Sequence, residues 1–407
     1  MKNLGIIAIA VLLFNCSVKD ASSVQPVAKK IKKELTIHDD TRIDNYFWMR
    51  LSDEQKEAEK PDTQTTDVLD YLTAENDYLK SEMKHTEAFQ DSLYKEIVGR
   101  IKQDDQSVPV SINGYTYYSK YEKGKDYPLY CRKENKEGAT EEIMLNGPVM
   151  AENQSYFAIG GRSVSENNEL LAYSVDLVSR REYVIYVKDL KTGEILKDRI
   201  VNTGSSITWA NDNKTIYYTK KDPLTLRSNQ IFKHTIGTES NEDTLVYEEK
   251  DETFGCGVYK TKSRKFLMIS SYSTLSSEYR FLDANNPEGE WKIIQPRERD
   301  LEYSIDHFED HFYIVTNYGA KNFRLMKTPI NKTEKENWLE VIGHRDNVLL
   351  QSIDIFKNFL VVNERKDGLV QLRVIKWEDQ SEHYIEFKDP AYQAYTFANP
   401  EFETETL

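Results

Sequence analysis

Cysteine is nearly absent from this 407-residue sequence, which holds only Cys16, Cys131 and Cys256. That scarcity excludes a disulfide framework of the kind that staples small secreted domains, and a zinc site built on paired C-x-x-C ligands. A single Cys131–Cys256 bridge stays chemically open in an oxidising compartment, but Cys131 sits inside a strand pattern where buried apolar filler is the default. Histidine is also sparse, at seven residues. His307 and His311 stand four apart, yet Glu309-Asp310 between them reads as a hairpin turn, so no metal is expected. No G-x-S-x-G nucleophile elbow occurs; Gly161-Arg162-Ser163-Val164-Ser165 comes nearest and lacks the second glycine. Walker and dinucleotide-binding loops are missing too, and no cofactor is expected. Basic charge is outnumbered, 54 Lys and Arg against 68 Asp and Glu, for a net charge of -14. That balance argues against nucleic acid as a partner, since phosphate binding needs a basic patch. Concentrated in a cleft it would suit a cationic ligand; spread out, it is a solubilising surface. The run Glu248-Glu249-Lys250-Asp251-Glu252 reads as a solvated loop.

Long hydrophobic runs are limited to one, Leu4 to Phe14, which is too short to span a membrane comfortably. With Lys2 before it and Cys16 after it, residues 1–16 are expected to be an export signal. Leu13-Phe14-Asn15-Cys16 resembles a bacterial lipobox, which would make Cys16 a lipidation site and the only membrane attachment. Asn15 departs from the small residue usual at that position, so an ordinary secretory signal cut nearby remains the alternative. Either way the mature chain is expected outside the cytoplasm, periplasmic or membrane-anchored. Residues 17–35 follow as a polar tether.

What the chain does have is a repeat. Ile207 to Asp222, ITWANDNKTIYYTKKD, reads as strand, tight turn, strand: Asn211-Asp212-Asn213 tolerates turn geometry and Ile216-Tyr217-Tyr218-Thr219 is β-branched and aromatic. An apolar pair after the turn recurs at Leu170-Leu171, Ile216-Tyr217, Phe266-Leu267, Phe312-Tyr313 and Phe359-Leu360. Measured on the second member, the steps are 46, 50, 46 and 47 residues. A looser copy begins at Asn113-Gly114. Short strands at this period are the mark of propeller blades. One more step of 47 from Leu360 reaches residue 407, so the chain is expected to stop as a further blade begins. Tyr183 to Val187 and Gln371 to Ile375 read as equivalent strands of two blades, and turn signals fall at Thr192-Gly193 and Asp367-Gly368. No β/α alternation appears. Ahead of the repeat, Val68, Leu69, Leu72, Leu79 and Met83, then Phe89, Leu93, Ile97 and Ile101, recur at helical spacing between Pro61 and Pro109. These helices present apolar faces that must cover something.

From about residue 36 onward the chain resembles the N-terminal portion of prolyl-oligopeptidase-family serine peptidases, in their oligopeptidase B branch. The stretches that carry the likeness include DDTRIDNYFWMR (Asp39 to Arg50), YLTAENDYLKSEMKHTEAFQDSLYKEIVGRIKQDDQSVP (Tyr71 to Pro109), YYSKYEKGKDYPLYCRKE (Tyr117 to Glu134), LAYSVDLVSRREY (Leu171 to Tyr183), ANDNKTIYYTKKDPLTLR (Ala210 to Arg227), NYGAKNFRLMKTPI (Asn317 to Ile330) and NPEFETETL (Asn399 to Leu407). The resemblance implies a mainly β fold: a helical segment over 36–109, which packs on the hydrolase domain in the family, then a seven-bladed β-propeller over 110–407, cut short in its last blade. It further implies an α/β-hydrolase catalytic domain that lies beyond these residues, so no catalytic residue is carried over and the chain alone is expected to be inactive. Implied partners are short, basic peptides cut after Arg or Lys, and the chain's own hydrolase domain; the propeller would filter access. The alternative is a lipid-anchored propeller serving as a binding module without enzymatic activity. Unpaired sheet edges and uncovered helices count against it, because a natural binding module should close or cap its ends.

Overall fold

The computed structural model describes residues 24–407, so the expected signal segment and Cys16 lie outside the described residues. The chain divides into two compact units between Lys102 and Gln103. In the first unit, strands Lys33–Ile37 and Asp40–Asp44 form an antiparallel hairpin, Lys33 opposite Asp44. His38 and Asp39 turn it with φ of 53 and 61°, values that a two-residue hairpin loop requires. Sequence reasoning ran a tether and then a helical segment through these residues, and missed the hairpin because its strands are short and mostly polar. Ser52 and Gln55 close a capping box at the start of helix Asp53–Glu57. Asp62, just after Pro61, caps helix Thr63–Met83 by accepting from Thr65 N at 2.7 Å. Helix Glu87–Arg100 follows. The expected helical spacing is therefore present, but the apolar residues on it stay largely uncovered: Leu72, Leu79, Phe89 and Ile97 are 50, 59, 68 and 52% exposed.

In the second unit every strand pairing is antiparallel and every sheet is built from strands consecutive in sequence. Blade 1 comprises Val110–Ile112, Tyr115–Lys120, Leu129–Glu134 and Glu141–Asn146. Blades 2 and 3 share one 15-residue strand, Ile195–Trp209, whose first part pairs with Tyr183–Asp189 and whose second part pairs with Thr215–Lys221. The register breaks around Thr203 let it turn from one blade into the next. Blade 2 begins with Ala158–Val164 and Leu170–Asp176, and blade 3 ends with Ser228–Thr235 and Thr244–Glu248. Blade 4 runs from Gly255–Lys260 to Lys292–Ile293, blade 5 from Tyr303–Phe308 to Leu339–Ile342, and blade 6 from Val348–Ile355 to Glu382–Tyr384.

The apolar pair of the repeat marks the second strand of blades 2 to 6, and Leu171, Tyr217, Leu267, Tyr313 and Leu360 are all buried. Each core is shared between consecutive blades. Met144 packs with Leu171, Ile185 with Ile216, Tyr217 with Leu267, Phe266 with Phe312, and Tyr313 with Leu360. A single four-stranded sheet cannot bury both its faces, so stacking against its neighbours is what stabilises each one. Residues 385–407, where the period places the start of another blade, form no strand. They run as a tail whose Phe402 packs against the blade 5–6 core.

Asn113-Gly114 and Asp367-Gly368 both take positive φ at each position, as a hairpin turn demands. Cys131 and Cys256 are free and buried, so no bridge joins them. Glu249 corrects the reading of residues 248–252 as a solvated loop. It is only 3% exposed and accepts from Arg297, Ser271, Tyr247 and the Asp251 amide. Its neighbours in the run do face solvent; a charge pattern cannot reveal that one member turns inward to a distant arginine.

Candidate functional site

The turns joining the first two strands of blades 1, 2 and 4 gather, with the first strands of blades 1 to 4, around one cavity. That cavity has a volume of about 690 Å³ and is walled by blades 1 to 4 and Pro400 of the tail. The turns hold one another in sequence around it. Asn113 Nδ2 of blade 1 donates to the Glu166 carbonyl of blade 2 at 2.7 Å. The Asn167 amide of blade 2 donates to Asn213 Oδ1 of blade 3 at 2.8 Å. Asn211 Nδ2 of blade 3 donates to the Arg264 carbonyl of blade 4 at 3.1 Å. Ser263 of blade 4 meets His307 Nδ1 of blade 5 at 2.8 Å, and Phe308, ending the first strand of blade 5, stacks at 4.6 Å on Trp377, which follows the third strand of blade 6, Leu369–Lys376. The tail completes the circuit. The Lys357 amide of blade 6 donates to the Phe402 carbonyl at 2.9 Å, and the Asn113 amide donates to Glu401 Oε2 at 3.0 Å. Asparagine suits this task because it accepts left-handed backbone, as Asn113 and Asn213 do, while its amide reaches the next turn.

The cavity wall is aromatic and cationic. Tyr117, Tyr130, Trp209 and Tyr259 line it, together with Arg162, Lys260, Lys262 and Arg264, against the carboxylate of Glu166. The net acidity of the chain is therefore not focused here, and the solubilising-surface reading of that charge fits this wall better. Arg162 lies over the Tyr130 ring, 3.9 Å from its centroid. Asp306, beside Lys262 and Asp354, is pushed up to about 6 by burial.

The Ser263–His307 contact has two members of a catalytic triad, but the rest of the arrangement is wrong for nucleophilic catalysis. His307 is 2% exposed and clamped edge-on between Phe266 and Phe312. Burial drives it down to about 4, so it is a poor base near neutrality. Its Nε2 has no hydrogen-bond partner, so no carboxylate orients the ring. His307 and His311 lie on the two arms of one hairpin, with Glu309 at φ 53° in the turn, as the residues between them indicated. Gly161 to Val164 belongs to the first strand of blade 2, where the Ser163 carbonyl accepts from Trp209 Nε1 at 2.9 Å. A second buried histidine, His234, is held between Asp243 (Nδ1, 2.6 Å) and Asp198 (Nε2, 3.0 Å), with no serine on the ring. Among the described residues no group of three or more His, Cys, Asp or Glu side chains could hold a metal ion. Sequence reasoning found the turns but not these inter-blade links, which join residues about fifty apart.

Comparison with known proteins agrees with this architecture. Residues 26–407 match the family described as prolyl oligopeptidase, N-terminal β-propeller domain. The chain is 37% identical to dipeptidyl aminopeptidase BI of Pseudoxanthomonas mexicana, over all of this chain and 58% of that protein. It is 30% identical to protease 2 of Moraxella lacunata, over 93% of this chain and 54% of that one. Among solved structures, oligopeptidase B from Leishmania major superposes with a TM-score of 0.85 at 26% identity, covering 95% of this chain and 56% of its own. The chain thus spans little more than half the length of these relatives.

Proposed function

The chain belongs to the prolyl oligopeptidase family through its N-terminal β-propeller domain, and from that membership we infer that it is the N-terminal part of an exported serine oligopeptidase. The whole enzyme hydrolyses short peptides after Arg or Lys. The propeller restricts what reaches a reactive centre supplied by an α/β-hydrolase domain, and the residues described here are inactive by themselves. One observation carries this reading: the chain matches its relatives over just over half their length. The Ser–His contact among the described residues, which lacks an orienting carboxylate, agrees with it. Nucleophile, base and oxyanion donors cannot be replaced by the lid that covers them.

The exposed apolar residues of helices Thr63–Met83 and Glu87–Arg100 support a hydrolase domain as their partner. Export rests on Lys2, the apolar run after it and Cys16, and lipidation at Cys16 would make the protein a membrane-anchored lipoprotein. The basic-peptide preference draws no support from the cationic cavity wall, and in this reading it is assigned to the hydrolase. Sequencing the DNA beyond codon 407 tests the inference. A frame that continues, or is restored by a single shift, and encodes a hydrolase with Ser, Asp and His supports it; a coding region that holds no such frame contradicts it.

A further inference from the structure

Three cations stand within five residues at the end of the first strand and on the first turn of blade 4, and none of the carboxylates with which they form ion pairs belongs to a neighbouring blade. Lys260 and Arg264 both pair with Glu166 of blade 2, while Lys262 pairs with Asp354 of blade 6. Lys260 also donates to Asn211 Oδ1 at 2.8 Å, and Lys262 lies over the Phe356 ring, 3.8 Å from its centroid. The turn-to-turn links between adjacent blades are of another kind, made by amides, hydroxyls and backbone. The ion pairs thus skip a blade on either side and span the space that the turns enclose.

Among the described residues no strand pairs one blade with the next, except the strand that blades 2 and 3 share. The blades otherwise meet through side chains and turn contacts, so the links from blade 4 to blades 2 and 6 tie together turns that no strand ladder holds. Glu401 of the tail is an electrostatic neighbour of Arg264 as well as the acceptor for the Asn113 amide, so the same turn reaches the tail. The lysines and carboxylates of the two spanning pairs are 13 to 21% exposed. They are dry enough to attract and wet enough for salt to reach them.

We propose that Lys260, Lys262 and Arg264 form a salt-sensitive latch across this mouth of the cavity, and that releasing it lets the turns of blades 2, 4 and 6 move apart. The latch is a property of the chain alone and does not depend on peptidase activity.

Hydrogen exchange on the full chain, in low salt and in 1 M NaCl, reads the latch at three turns. Amides near Ser165, Arg264 and Phe356 are expected to exchange about fivefold faster in high salt, the scale of a partly exposed ion pair. The turn of blade 5 at 309–310 makes no ion pair with the latch and should change less, Asp306 and His307 of that blade touching the blade 4 turn only by hydrogen bonds and proximity. Lys262→Glu and Asp354→Lys singly should accelerate the blade 4 and blade 6 turns in low salt. The double variant Lys262→Glu/Asp354→Lys, with the charges exchanged, should restore both the protection and its salt response. The proposal is overturned if the wild-type turns ignore salt, if all six turns accelerate together, or if the exchanged pair is as unprotected as the single variants.

Discussion

Arg297 donates to Glu249 Oε2 at 2.5 Å, and that carboxylate is 4% exposed. Burial opposes its charge, but the hydrogen bonds from Arg297, Ser271 and the Asp251 amide hold Glu249 down at about 2. A carboxyl depressed in the folded state contributes stability above its ordinary value of 4.5, and that contribution is lost as the pH falls toward 2. Arg297→Met should destabilise the chain by about 3 kcal/mol at neutral pH, because it strands a buried charge. Denaturant titrations from pH 2 to 7 should show the variant losing less stability than wild type across the acid range. Matching acid profiles would contradict the assignment.

His234 has the opposite sign. Burial alone would lower it, but Asp243 and Asp198 together raise it above its ordinary 6.5. Tyr218 and the Gly237 amide also donate to these two carboxylates. The stabilisation from His234 is therefore complete below pH 6.5 and fades as the pH rises through the raised value. His234→Gln leaves two buried carboxylates facing each other and should cost about 3 kcal/mol near pH 6. The cost should shrink under alkaline conditions, as urea titrations at a series of pH values would reveal.

Apolar residues of the two units should respond in opposite ways. Leu267 is fully buried in the blade 3–4 core, and Leu267→Ala should cost about 3 kcal/mol. Ile97 is 52% exposed on its helix, and Ile97→Glu should stay within about 0.5 kcal/mol. A large loss for Ile97→Glu, measured by thermal unfolding, would mean that this helix face is covered after all.

Gly161 tests how closely the shared strand approaches. A Cβ there would sit 2.1 Å from the Ser205 carbonyl oxygen, a backbone atom that cannot swing aside. Gly161→Ala should cost on the order of 1–3 kcal/mol. Gly257, with only Ser270 Oγ at 3.6 Å, should accept alanine with little change.

The blades were legible because their second strands repeat an apolar pair at a nearly fixed step, and the turns because Asn113-Gly114 and Asp367-Gly368 are strong local signals. Helix limits followed from Pro61 and the spacing of Val68 through Met83. What stayed hidden depends on contacts between distant residues. The inward turn of Glu249 becomes visible only with Arg297 beside it, and the spanning pairs join residues 94 and 92 positions apart. The hairpin Lys33–Ile37 with Asp40–Asp44 was missed for another reason: its exposed, mixed sequence carries no apolar period.

The most direct test of the account is an assay of the purified chain on fluorogenic peptides carrying Arg or Lys before the reporter. The account predicts no turnover above background, with or without a serine-directed inhibitor, because the Ser263–His307 contact found among the described residues has no carboxylate behind it. Turnover that the inhibitor abolishes, and that Ser263→Ala removes, would contradict it.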